Sequence, residues 1–201
     1  MRPDAATILA PALALAYSAG LNIYATIAAV GLADRFDWIP PLPGSLAALA
    51  SPWVIAIAAA LYAVEFVATL IPGLASLWDS FHTFVRPPAA AALAVLAAWS
   101  ADPVIVTLAG LLGGGLAVAT HATKLGLRYA VDSSPEPVTN GVANVAELGV
   151  VASLVVAVWH HPWLTLAAAL TLLVLLVLLV RRMWRALRRV GSRLRALGAR
   201  L

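Results

Sequence analysis

The sequence predicts an all-α fold: a polytopic membrane bundle of about six transmembrane helices, with a candidate internal repeat and a basic amphipathic helix at the C-terminus. Three observations predict it. The 201 residues are 63% hydrophobic and 11% charged, with a mean hydropathy of +0.95, and only lipid can accept so much apolar surface. Apolar runs of about 20 residues, the length that crosses a bilayer, recur along the chain. Tryptophans and basic residues collect at the ends of those runs, where the interfaces place them. Cysteine is absent, which removes disulfides, thiolate nucleophiles and sulfur-ligated metals.

The first span covers roughly 6–33. Its "AYSAG" stretch mimics a signal-peptide cleavage site, but hydrophobicity continues to Leu32, so a retained helix is predicted, loosened at Ser18 to Gly20. A second span fills 52–72. "DSFHTFVRP" follows, with Leu74, Leu77, Trp78, Phe81 and Phe84 on one helical face and Ser76, Asp79, Thr83 and Arg86 on the other, the pattern of an amphipathic helix lying at the inner interface. A double proline then opens a short third span at 88–100, and further spans are expected at 104–127, 138–159 and 162–181. Residues 1–180 thus form the bundle and 181–201 a cytoplasmic tail, in which Met183, Leu187, Val190, Leu194 and Leu197 keep helical spacing among arginines. Within the bundle, "VAT" at 67–69 recurs at 118–120, suggesting a parallel repeat of 51–100 and 102–160.

Charge placement gives an orientation. The net charge of +4 comes from the tail, which holds eight of the thirteen basic residues. With six spans, the inside would hold Arg2, Arg86, Lys124, Arg128 and the tail, leaving Arg35 outside beside Asp34 and Asp37. Trp38, Trp53, Trp99, Trp159 and Trp163 would mark the outer boundary, Trp78 and Trp184 the inner one. Both termini would then be cytoplasmic. A basic helix directly after an apolar span reads as a contact for anionic lipid, through Arg181, Arg182, Arg185, Arg188 and Arg189, rather than for nucleic acid.

Ionisable groups inside a span are costly and mark functional candidates. Glu65 lies two thirds of the way along the second span, and Asn140, Asn144 and Glu147 stack on one face of another. Ser18, Asn22 and Thr26 make a similar stripe, and His121 precedes Lys124 by three. Stripes of Asn and Ser also serve simply as interhelical hydrogen bonds, and "GLLGGG" at 110–115, with Gly110 and Gly114 one turn apart, suits close helix packing. Asp79 and His82 are neighbours at i, i+3, yet no serine or cysteine nucleophile sits at a fixed spacing and no paired-histidine metal signature is present, so intramembrane hydrolysis by this pair ranks below the readings that follow, and no metal or cofactor is expected.

The segments "EFVATLIPGLASLWDSFHTFVRPPAAA" (65–91) and "THATKLGLRYAVDSSPEPVTNGVANVAELGVV" (120–151) resemble the domain of unknown function 4126 family of small bacterial membrane proteins. The resemblance extends to about residue 165 and implies a small helical bundle in the bacterial inner membrane, with no established activity. The family pattern matches Glu65, Pro72, Asp79, His82, Thr83, Arg86, Pro87, Lys124, Arg128, Ser134, Pro135, Glu136, Pro137, Asn140 and Glu147. It usually has an Asp-Lys pair where this chain has Thr69 and Leu70, and acids where it has Ala75 and Leu148.

Two functions are therefore expected of the sequence. The first is a transporter or channel in which Glu65, Glu147, Asn140, Asn144, Asn22, Ser18 and His121 line a path for an ion or small polar solute. Asp79, His82, Arg86, Lys124 and Arg128 would then gate its cytoplasmic mouth. The second is a membrane scaffold or lipid-binding protein whose polar residues lock helices together. Small-residue faces suit a homo-oligomer in either case.

Overall fold

The computed structural model describes the backbone at 5–71, 73–132 and 137–171 and at 174, 175, 178, 181, 182 and 185, with side chains given except at 6, 127–132 and 137. The fold is all-α, with no strand among the described residues. Its helices are α1 (Ala5–Leu21), α2 (Ile23–Arg35), a 3-10 segment (Gly44–Ala50), α3 (Pro52–Leu70), α4 (Leu74–Ala97), α5 (Pro103–Asp132), α6 (Pro137–His160) and α7 (Pro162–Thr171). Prolines open α3, α5, α6 and α7, where the missing N–H costs nothing and the fixed φ already suits a helix. The sharp turn from α3 into α4 passes through Gly73 at φ 83, a conformation that glycine adopts without a steric penalty.

The expected span at 6–33 is two helices, not one. Asn22 interrupts it with extended backbone (φ −153, ψ 107), its side-chain oxygen accepting the Ala25 N–H at the start of α2. An asparagine offers its own side chain as a cap and so competes with continuous helix. The two halves form a hairpin that enters and leaves at the same end. Thr7, Ile8 and Pro11 of α1 share a small cavity with Pro43, Ser45, Ala101 and Trp159. At its far end α1 lies against the middle of α5, where a Cβ on Gly20 would fall 2.8 Å from Ala117 Cα. The chain then returns, bringing Gly31 against Leu49 and Ile55 near the start of α3. At 17 residues, α1 reaches about 25 Å, short of the roughly 30 Å hydrocarbon core.

α1 is also the centre of the bundle. Ala10, Ala12, Leu13, Ala14, Leu15, Ala16 and Ala19 are all buried, and a helix that is apolar all round belongs in a core. Its alanines let α4 and α5 approach closely, helped by the glycines of α5. A Cβ on Gly113 would come within 2.7 Å of Ala94 Cβ and 3.1 Å of Ala16 Cβ, while one on Gly115 would meet nothing within 4 Å. The "GLLGGG" run is thus a packing surface. Gly113→Val is expected to lower stability by about 1–3 kcal/mol through overpacking. Gly115→Ala should be neutral or slightly stabilising, and thermal unfolding in detergent checks the pair.

The interfacial helix and the short third span are also corrected: they are one continuous helix, α4, 24 residues long with Pro87 and Pro88 inside it. Its faces are the reverse of those a water-exposed helix shows. Asp79, His82 and Arg86 are buried, whereas Leu77 (67%), Phe81 (64%) and Phe84 (82%) are exposed. In lipid the apolar face looks out and the polar one must find partners inside.

Among the described residues three helices are long and apolar enough to cross a membrane: Pro52–Leu70, Pro103–Gly126 and Val138–His160. Trp38, Trp53, Trp99 and Trp163 are exposed at the ends of elements that meet where α1 begins, as an aromatic belt requires. The two "VAT" threonines of the candidate repeat have different surroundings: Thr69 accepts a hydrogen bond from Asn144, while Thr120 packs against Gly20. Arg181, Arg182 and Arg185 are exposed. Arg188, Arg189, the tail's apolar stripe and the Arg128 side chain lie outside the described residues.

Candidate functional site

The helix break places Asn22 at the tip of the hairpin, between α3 and α6. Its Nδ2 donates to Glu65 Oε1 at 2.9 Å and to Glu147 Oε1 at 3.0 Å. Lys124 reaches the same two atoms from α5, at 3.1 Å from Glu65 Oε1 and 2.7 Å from Glu147 Oε1. Its third hydrogen bond goes to Leu21 O at 3.0 Å, a carbonyl at the C-terminal end of α1, where the helix dipole favours a cation. One ammonium has three N–H donors, and all three are engaged.

Arg86 joins this clasp from α4. Its NH2 donates to Glu65 Oε1 at 2.6 Å, and its NH1 lies 3.5 Å from Asp79 Oδ1 and 3.0 Å from His121 Nδ1. Because a guanidinium only donates, His121 Nδ1 is an acceptor and its proton sits on Nε2, which donates to Thr83 Oγ1 at 2.9 Å. His82 belongs to a separate branch. Its Nδ1 donates to Trp78 O at 2.8 Å and its Nε2 accepts from Tyr24 Oη at 3.1 Å, with the Trp78 ring stacked at 4.7 Å. Both imidazole nitrogens are used, neither of them on Asp79, so the sequence neighbours Asp79 and His82 do not form an oriented pair.

Most of the residues expected to line a path therefore share one network with three of those expected to gate it. It unites Asn22, Glu65, Glu147 and His121 with Asp79, Arg86 and Lys124, and Asn144 joins through Thr69, donating to its Oγ1 at 2.7 Å while that hydroxyl bonds Glu65 O at 2.9 Å. Ser18, one turn before Asn22, is buried, and its Oγ has no hydrogen-bond partner among the described residues. Sequence reasoning missed Tyr24 and Thr69 as participants. For Thr69 a signal existed: it stands one turn after Glu65, on the same helical face.

The two carboxylates have different surroundings. Glu65 is sealed among helices, its side chain 3% exposed, whereas that of Glu147 is 15% exposed and lines a cavity of about 420 Å³. Tyr17 and Leu21 of α1, Lys124 of α5, and Asn140, Asn144 and Glu147 of α6 border it. Among the described residues no three His, Asp or Glu side chains converge as a metal site.

An all-α bundle with three described helices long and apolar enough to cross a membrane, and with a buried ion-pair network, has the character of a membrane protein with a polar core. The chain belongs to the family described as domain of unknown function (DUF4126), whose pattern matches residues 9–182. No curated protein and no solved structure matches it.

Proposed function

We propose that this protein moves an ion or small polar solute across the membrane, using Glu147 as the group the solute meets and Glu65 as the anchor that holds the site together. The observation that carries this reading is the hairpin tip. A helix broken inside the bundle brings a cap residue and the end of a helix dipole to a charged cluster beside a cavity. Irregular backbone at membrane depth is tolerated only where it is buried in protein or lines such a space, and substrate sites of secondary transporters are built this way.

In this reading the exposed Arg181, Arg182 and Arg185 face the anionic cytoplasmic leaflet. The hairpin argues against placing both termini on that side, because α1 starts at the opposite end of the bundle. The test is flux of labelled monovalent cations and small amines into proteoliposomes. Glu147→Gln is expected to cut flux at least tenfold while the protein stays folded, and Glu65→Gln to lose flux together with stability. Wild-type flux in Glu147→Gln protein would overturn the proposal.

A further inference from the structure

The cavity between α1, α5 and α6 has a chemistry that selects its occupant. Lys124, the cation on its wall, has no donor to spare, since Leu21 O, Glu65 and Glu147 take all three N–H groups. An anion entering the cavity would find no free charged donor among the described residues that line it. Acceptors, by contrast, are available. Asn22 and Lys124 both bond Glu147 through Oε1, and Oε2 receives no bond among the described residues. Asn140, 1% exposed and on the cavity wall, keeps Oδ1 without a partner among the described residues. A buried acceptor without a donor is unfavourable, and a ligand bearing N–H groups relieves that penalty.

Apart from Thr123 and Asn144, the remaining wall is apolar, from Leu21, Ala143, Ala146 and Val150, with the Tyr17 ring beside them. A bare metal ion fits this poorly. Hard cations take about six or more oxygen ligands, and two free acceptors do not replace that hydration shell. At about 420 Å³ the space falls in the range of small-molecule sites.

We propose that this cavity binds a small organic cation: an ammonium head held by Glu147 Oε2 and Asn140 Oδ1, on an apolar body packed against the α6 alanines and Tyr17. The aromatic ring adds a cation–π contact of a kind common in ammonium recognition. The inference rests on the transport reading for its purpose, naming the substrate class of that site, and on the cavity alone for its chemistry.

Equilibrium binding to the full chain in nanodiscs, with empty discs as the blank, tests it using three probes of one shape: benzylammonium, benzyl alcohol and benzoate. Benzylammonium is expected to bind saturably and the other two at least tenfold more weakly. Asn140→Ala removes a side-chain oxygen that has no partner among the described residues, and it should leave the fold intact while weakening benzylammonium several-fold; Glu147→Gln should abolish it. Benzoate or benzyl alcohol binding as tightly as the amine would overturn the site, as would unchanged amine affinity in both variants. Saturable amine binding without amine flux leaves the site standing and removes the transport reading. Flux of another solute with no amine binding does the reverse.

Discussion

Arg86→Met is expected to destabilise the protein by about 3–5 kcal/mol, the usual penalty for removing one partner from a buried ion pair. Arg86 is fully buried and is the cation that Glu65 and Asp79 share, at 2.6 Å and 3.5 Å. Methionine fills most of the same space without charge. The loss therefore reads electrostatics and hydrogen bonding rather than a cavity. Lysine would not restore the site, because one guanidinium serves Glu65 through NH2 and both Asp79 and His121 through NH1. A point ammonium on a shorter stem cannot reproduce that planar fork, so Arg86→Lys should fall between wild type and Arg86→Met. Adding Glu65→Gln to Arg86→Met should recover at least about 1 kcal/mol, since groups in one network are non-additive by roughly 0.5–3 kcal/mol. Unfolding followed by tryptophan fluorescence in detergent measures all four proteins. A midpoint for Arg86→Met equal to that of wild type would show that the pairs in the core contribute nothing.

The crossing helices were legible in the sequence because length and apolarity alone specify them: α3, α5 and α6 begin and end within a few residues of the expected 52–72, 104–127 and 138–159, except that α5 continues to Asp132. The polar stripe of α6 was legible for the same reason, since i, i+4, i+7 spacing fixes a face whatever surrounds it. What that spacing does not say is which face is inside. For α4 the amphipathic pattern was assigned by the rule for water, with polar residues outward, and the surroundings of α4 invert it. Pro87 misled in the same segment. Proline often starts a helix, but inside a bundle neighbouring groups satisfy the backbone it leaves open. Joining Asn22 to Glu65 and Glu147, 43 and 125 residues away, was beyond any local pattern, because hydropathy sees one apolar run from 6 to 33 and does not see it turn back. Asn22 was picked out as polar, and its capping chemistry was the clue to the turn.

That chemistry allows the two duties of Asn22 to be separated. As a cap its Oδ1 takes the Ala25 N–H, worth about 1 kcal/mol. As a bridge its Nδ2 reaches both carboxylates, and hydrogen bonds to charged groups contribute about 1.5–3 kcal/mol each. Asn22→Ser keeps an acceptor for the cap but is too short to bridge. Asn22→Leu keeps the bulk and loses both functions. The expected order of stability is wild type, then Asn22→Ser, then Asn22→Leu, with the serine–leucine gap reading the cap and the larger wild-type–serine gap reading the bridge. If the hairpin tip positions Glu147 for a solute, Asn22→Ser should lose flux at least tenfold at a temperature where it remains folded, because Lys124 is then the only described group still joining the two carboxylates. Equal flux in folded Asn22→Ser and wild-type protein would mean that the tip holds the bundle together and has no part in moving anything through it.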